Sequence, residues 1–418
     1  MKKILRTFKW ALVSFLFFSC DACQDPDPNP KPEPGDEKKI VITTIATPTD
    51  QTLRSIHFLD ENIGYAAGGD EDIVSDSTRG VILKTVDGGE TWAKVFERKY
   101  RINDKDDRGV ELKGGGFEMT SVFAKSANEV FATSFLGRIH TSKDGGETWS
   151  MQYSVEGDDV VNFYGRYNVL EDITFFDDNF GVVVGKRGNY LGLDPDTGFS
   201  AFTMDGGDVW IDILDGDPAE WRRASTNTIN QQEVAMRNNP LTSAKRYGEK
   251  MLFLTGGLTN KGTLTTCDEY TIESQTNKWE VMTPKQDQSN APKFVDSAID
   301  GDFIVVVGNN GLRSPTTEKG AMFSSTTGKD WQPVPYGGDN KLTAVDVKGQ
   351  TMVIVGINKG SNTEGPEFVS LSFDRGATWT RIEHDHNTAD WKDVYMLSEK
   401  KMFMVGAEGL IMKLEVKE

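Results

Sequence analysis

One short turn, written five times along the chain, restricts the possible folds more than any other feature. TVDGGETW ends at Trp92, SKDGGETW at Trp149, TMDGGDVW at Trp210 and SFDRGATW at Trp379, and a degraded copy, SSTTGKDW, ends at Trp331. The shared spacing is Ser/Thr-x-Asp-x-Gly-x-x-Trp, carried by Asp87 and Trp92, Asp144 and Trp149, Asp205 and Trp210, and Asp374 and Trp379. These residue types suit a tight hairpin. An aspartate there can accept backbone N–H bonds two residues on, and glycine supplies the positive φ. The tryptophan then begins the next strand and is expected to bury its ring beneath the turn. Tight-hairpin chemistry accounts for every position, so the turns are read as structural.

Each turn closes a recurring series of strands. An alternating strand comes first (Ser55–Asp60, Thr120–Lys125, Asp172–Asp177) and a Gly- or Val-rich strand second (Gly64–Gly69, Glu129–Phe135, Gly181–Gly185). A third runs into the turn (Val81–Val86, Arg138–Lys143, Ser200–Met204). MLFLTGG at 251–257, FIVVVGNN at 303–310 and TMVIVGIN at 351–358 keep the rhythm where the turn has decayed or is absent. The last unit, DVYMLSE, KMFMVGAE and LIMKLEV, has three strands and no tryptophan strand after it, while KIVITTIA, 39–46, stands before the first unit. An open last unit would expose an unpaired edge, so the N-terminal strand is expected to complete it. The expected fold is an all-β, seven-bladed β-propeller over residues 39–418.

The repeated turn resembles the Asp-box, or BNR repeat. The pattern GYAAGG…GVILKTVDGGETW is most similar to propellers of the photosystem II stability/assembly-factor type, and more distantly to sortilin-like and sialidase-like propellers. The first resemblance implies a partner protein. The sialidase resemblance implies an arginine triad and a Tyr–Glu nucleophile pair, with a Phe-Arg-Ile-Pro-like element before the first turn. Arg54 and Arg79 do not form that element, and YRIND at 100–104 follows the first turn and lacks the proline. No HExxH, Gly-x-Ser-x-Gly, P-loop or dinucleotide fingerprint is present in the sequence. The reading therefore leans against an enzyme and assigns no catalytic residue, cofactor or metal. A glycoside hydrolase or lyase on the same disc is the alternative.

The N-terminus reads as an address. Lys2, Lys3, Arg6 and Lys9 precede the apolar run WALVSFLFF, which is too short to span a bilayer but suits a signal-peptide core. Ser19-Cys20 follows and resembles a relaxed lipobox, with lipid expected on Cys20 after removal of residues 1–19. Residues 20–38 are acidic and proline-rich, as in an extended tether. Asp21, Asp25 and Asp27 resemble surface-export signals of Gram-negative lipoproteins, so the expected location is the outer membrane, facing outward. The net charge of −18 disfavours phosphate backbones and with them general nucleic-acid binding. Cys267 is the one cysteine beyond the tether, so the body has no disulfide of its own.

Within each unit the first-to-second connections are short, and the third-to-fourth are the repeated turns. The long insertions (70–79, 98–117, 155–170, 186–198, 215–240 and 359–366) all belong to the other two connections, which emerge on one face. Long loops in a compact domain are usually functional. Tyr100 and Arg101, then Tyr164, Arg166 and Tyr167, then Trp221, Arg222 and Arg223 give that face an aromatic–arginine composition suited to a protein or glycan ligand. An outer-membrane protein partner or an extracellular glycan is expected there. Asp104, Asp106 and Asp107 lack full calcium-loop spacing, and His384-Asp385-His386 is a weak metal signature.

Overall fold

The computed structural model describes residues 39–72, 77–101, 118–135, 137–154, 166–189, 197–212, 240–248, 250–255, 264–268, 279–281, 292–310, 319–328, 330–338, 340–357, 367–386 and 389–417. The described strands form seven four-stranded sheets. The first sheet holds β2 (Leu53–Phe58), β3 (Gly64–Asp72), β4 (Ser77–Thr85) and β5 (Ala93–Arg101), after β1 (Lys39–Ile45). The second holds β6 (Met119–Ala124), β7 (Val130–Ser134), β8 (Arg138–Ser142) and β9 (Ser150–Ser154). The third holds β10 (Arg166–Phe175), β11 (Gly181–Asn189), β12 (Thr197–Thr203) and β13 (Ile211–Asp212). The fourth holds β14 (Leu241–Tyr247), β15 (Lys250–Thr255), β16 (Leu264–Asp268) and β17 (Trp279–Val281). The fifth holds β18 (Lys293–Asp300), β19 (Phe303–Asn310), β20 (Lys319–Ser325) and β21 (Gln332–Pro333). The sixth holds β22 (Lys341–Lys348), β23 (Thr351–Ile357), β24 (Phe368–Ser372) and β25 (Thr380–Arg381). In the last, β26 (Asp393–Ser398), β27 (Lys401–Val405) and β28 (Ile411–Lys417) are joined by β1, which lies beside β28.

The first strand of each sheet packs against the first strand of the next, and β26 packs back on β2, which makes the fold a β-propeller. The core lies between successive sheets. Phe58 stacks on Phe403 with ring centroids 5.0 Å apart, joining the last sheet to the first. Phe131 and Phe175 meet in a tilted contact at 4.6 Å between the second and third sheets.

The repeated turns share one bonding plan. In the first, the Thr85 hydroxyl donates to Asp87 Oδ1 (2.8 Å) and accepts from Gly89 N (2.9 Å), while Asp87 Oδ1 accepts from Thr91 N (2.9 Å). Ser142, Asp144, Gly146 and Thr148 repeat this, as do Ser372, Asp374, Gly376 and Thr378. The N–H bond thus comes from four residues on, not two. In the third turn Asp205 accepts from Val209 N, with Thr203 in the hydroxyl role. Gly88 N, Gly145 N and Gly206 N donate to the carbonyls of Asn62, Asn128 and Asn179, tying each turn to the neighbouring hairpin of its own sheet. A lysine of the preceding sheet caps three of the turns: Lys401 Nζ on Gly88 O, Lys84 on Gly145 O and Lys125 on Gly206 O.

The tryptophans divide into two kinds. Trp92 and Trp210 are buried at 7% and 6% exposure. Trp149 and Trp379 are half-buried and donate Nε1–H to Gly146 O and Gly376 O, each at 3.1 Å.

Several strands run further than their sequence patterns indicate. β5 extends to Arg101, β11 to Asn189, and β10 begins at Arg166, so segments read as loops at 98–101, 166–170 and 186–189 are strand. Long antiparallel pairing explains this: β3, β4 and β5 stay paired as far as Asp72, Ser77 and Arg101, past a one-residue shift at Ile82/Leu83.

Candidate functional site: the axial channel

The seven first strands surround a cavity of about 460 Å³ on the propeller axis. Its chemistry grows from one local irregularity. In six of these strands the register shifts by one residue between an apolar residue (Leu53, Met119, Leu170, Leu241, Phe294 or Leu342) and the residue two on, Ser55, Ser121, Asp172, Ser243, Asp296 or Ala344. A bulge of this kind bends the strand and re-aims the side chain that follows it. The residue after the bulge then faces the inner edge of the next sheet, where backbone N–H groups would otherwise lack strand partners.

The side chains supply those partners. Ser55 Oγ accepts from Val122 N (3.2 Å), Asp172 Oδ2 from Ala244 N (3.1 Å) and Asp296 Oδ2 from Val345 N (3.0 Å). Asp393 Oδ2 accepts from Ile56 N (2.9 Å), closing the series between the last sheet and the first. One layer along the axis, Asp346 Oδ2 accepts from Met396 N (2.6 Å) and His57 Nδ1 from Ala124 N (3.1 Å). The other oxygens of Asp172, Asp346 and Asp393 accept from the N–H of the following residue.

Lys245 lies among these carboxylates, with Nζ 3.6 Å from Asp172 Oδ2. The Lys245 side chain keeps 40% accessibility, but it opens onto the channel lumen. Its depth in the channel works against the ammonium, yet Asp172, Asp296, Asp393 and Asp346 outweigh that and raise its proton affinity. Removal from bulk water lifts the carboxyls: Asp296 and Asp346 to about 6 despite the attraction of Lys245, and Asp393, next to the Asp296 charge, to about 7. Removal from water, then Lys245, pushes His57 down to about 3, so the ring is neutral and its Nδ1 is free to accept. Tyr395 is raised to about 12, mainly by burial, and donates to Phe58 O (2.9 Å). At the end of the channel where the first strands begin, enclosure raises Glu171, with Lys186 3.5 Å away, and Arg54 lies over the Phe135 ring.

The aromatic and arginine residues named from sequence are distributed differently. Tyr164, Trp221, Arg222 and Arg223 lie outside the described residues, as do Cys20 and Asp104, Asp106 and Asp107. Tyr100 and Arg101 are strand positions, paired with Thr78 and Ser77, and Arg166 and Tyr167 pair with Asn189 and Gly188. His386 Nε2 meets Thr44 Oγ1 at 2.7 Å and His384 Nε2 meets Glu367 O at 2.9 Å, and the two rings cluster with each other and with Trp391. The channel was missed from sequence. The signal available was a Ser or Asp at one place in successive first strands.

No family model and no curated protein matches the chain. Among solved structures, similar folds include YCF48 bound to D1 peptide, at 14% identity and a TM-score of 0.55, covering 90% of this chain and 97% of that one. YCF48 from Cyanidioschyzon merolae is 16% identical with a TM-score of 0.55, covering 90% and 98%. An ancestral GH74 enzyme is 10% identical with a TM-score of 0.54, covering 88% of this chain and 45% of its own. At these identities the likeness is one of fold.

Proposed function

We propose that this chain is a non-catalytic propeller of the cell envelope that holds a segment of a partner protein on one face. The seven sheets are read as seven blades of a closed ring with β1 completing the last, and the repeated turns as Asp-boxes. Lipid on Cys20 and the 20–38 tether would place the disc at the outer membrane, facing outward. The observation that carries the reading is the asymmetry of the connections. The first-to-second links have two or five residues, whereas 102–118, 155–165 and 213–240 all join a last strand to the next first strand. Length is concentrated at one end of the sheets, as a single binding face requires. YCF48, whose fold is similar, has been solved with a D1 peptide bound, which supports a protein ligand over a glycan.

A glycoside hydrolase is the second reading, favoured by the raised Asp296 and Asp393 carboxyls in the channel, since a general acid needs such a shift. Against it, both oxygens of Asp393 already hold backbone N–H groups. The test is a pull-down from envelope extracts with the full chain and with Tyr164, Arg166, Trp221 and Arg222 each changed to alanine. Loss of one specific protein without a fall in melting temperature supports the reading. Retention by all four variants, or release of reducing sugar from envelope glycans, overturns it. An acylated Cys20 in the mass spectrum of the membrane-extracted protein checks the anchor.

A further inference from the structure

The channel repeats one arrangement at three places around the axis but completes it at only one. At the β10/β14 junction, Asp172 accepts from a backbone N–H of the next sheet and also has that sheet's Lys245 ammonium 3.6 Å away. At β18/β22, Asp296 accepts the corresponding N–H, of Val345, but the residue that follows Val345, in the place of Lys245, is Asp346. At β26/β2, Asp393 accepts from Ile56 N, and the residue in that place is His57, which is neutral. Asp296, Asp346 and Asp393 therefore lie on three consecutive first strands with no ion pair within 4 Å among the described residues. The cations at the rim are engaged elsewhere: Arg246 with the Phe176 carbonyl and ring, and Lys392 with Asp390.

A second observation lies beside the carboxylates. Ser297 lines the channel at 2% exposure, and its Oγ has no hydrogen-bond partner among the described residues. Thr343 Oγ1, on the adjacent strand, is likewise without one. Buried hydroxyls without partners are uncommon, because each forfeits a bond it would make in water. Each carboxylate oxygen that accepts one backbone N–H keeps a second acceptor direction. This sector thus combines negative charge, spare acceptor directions on its carboxylates and the volume of the channel.

We infer that the acidic sector between Asp296, Asp346 and Asp393 is a binding site for a primary alkylammonium group. A metal ion fits less well, since no group of three His, Cys, Asp or Glu among the described residues is arranged to hold one. An ammonium needs only acceptors and negative potential, and Lys245 already occupies such a position one junction away. The ammonium can arrive on a free diamine or on a lysine side chain of a partner segment. The inference does not depend on which, nor on the partner-binding reading above.

The test is calorimetric titration of the full chain with putrescine, with Nα-acetyl-lysine methylamide and with neutral 1,4-butanediol, at about 0.15 M salt to screen surface charge. Binding of an amine and not of the diol is expected. It should weaken about tenfold or more between pH 8 and about pH 5.5 as the carboxyls take up protons. The tighter of the two amines identifies the source. Thr343→Lys, which offers the sector an ammonium of its own, should abolish binding, and Asp296→Asn should weaken it. If a variant fails to fold, the wild-type pH dependence decides. Equal heats for amine and diol, pH-independent binding, or full retention in a folded Thr343→Lys protein would overturn the inference.

Discussion

Aspartate does the same job in two regions of this molecule and acquires opposite acid–base character. In the repeated turns Asp87 and Asp144 accept bonds from residues four positions on and from their own Ser or Thr, at the solvent boundary, and are held at about 2. In the channel Asp296, Asp346 and Asp393 also accept backbone N–H bonds, yet enclosure and mutual repulsion lift them to about 6, 6 and 7. Accepting N–H bonds stabilises a carboxylate in both settings. What differs is the water around it and the sign of its neighbours. The turns are stable local units of charge, whereas the channel stores unbalanced charge in the middle of a ring.

The largest expected effect falls on the packing that both regions share. Trp92 is buried against Phe58, ring centroids 5.9 Å apart and nearly perpendicular, and Phe58 in turn stacks on Phe403. Trp92→Ala should cost about 3–5 kcal/mol in chemical denaturation, because the cavity opens at the seam between the last and first sheets. Trp149 is half-buried and meets Phe96 edge-on at 6.0 Å, so Trp149→Ala should cost less, about 1–3 kcal/mol. Equal losses would mean that the two turns are not distinguished by burial.

The next effect separates the two kinds of aspartate by pH. A channel carboxyl binds protons more tightly folded than unfolded, so its contribution to stability falls as pH rises from about 4 to about 7. A turn carboxyl does the reverse: its contribution is present above about 4 and is lost as pH falls towards 2. His57 and His140, both pushed down to about 3 chiefly by burial, lose stability as pH falls below about 6.5 and would mask the channel slope in the wild-type protein. Asp393→Asn isolates it. Relative to wild type, this variant should gain on the order of 2 kcal/mol between pH 4.5 and pH 8.5, after discounting for solvent in the lumen. No relative change across that range would show Asp393 to be an ordinary carboxylate.

The turns were legible from sequence because their internal bonds span two to four residues, so the spacing of Thr85, Asp87, Gly89 and Thr91 is itself the structure. The strand rhythm and the edge partner for β28 followed from the same local periodicity. The channel was not legible. Asp346 reaches Met396 across 50 residues and Asp393 reaches Ile56 across 337, and nothing near Asp393 in the chain marks it as facing Ile56. The strand ends at Arg101 and Arg166 were read as loop because charged, aromatic-rich segments look alike whether they pair or not.

A smaller effect tests the turns as units. Asp87→Ala removes the acceptor of Thr91 N and of the Thr85 and Thr91 hydroxyls; the exposed Thr91 groups can turn to water, whereas the buried Thr85 hydroxyl keeps only the bonds it accepts, chiefly that from Gly89 N. The cost should be about 1 kcal/mol, comparable to the loss of a helix cap. It should appear in full above pH 4 and be largely lost near pH 2, where about half of the wild-type carboxylate is protonated. A loss that persists at pH 2 would assign Asp87 a role other than that of an anion.

The smallest effect concerns the one turn that departs from the glycine pattern. Where the first three turns have Gly88, Gly145 and Gly206 at φ of 71°, 70° and 78°, the turn before Trp379 has Arg375 at 54°. A side chain in this left-handed region costs about 1 kcal/mol relative to glycine. Arg375 offsets that cost with contacts no glycine makes. Its Nε donates to Gly349 O at 2.8 Å, its guanidinium lies 4.8 Å from the Phe303 ring centre, and Asp300 is 3.7 Å away. In the other turns a lysine of the preceding sheet reaches the carbonyl of the turn, whereas here the turn reaches out to Gly349 in its own sheet and Phe303 in the preceding one. Arg375→Gly should therefore be nearly neutral, within about 0.5 kcal/mol, because relief of backbone strain cancels the lost cation–π contact and hydrogen bond. Arg375→Ala keeps the strain and loses the contacts, so it should cost about 1–2 kcal/mol. If both substitutions cost the same, the left-handed backbone carries no strain and the arginine acts through its contacts alone.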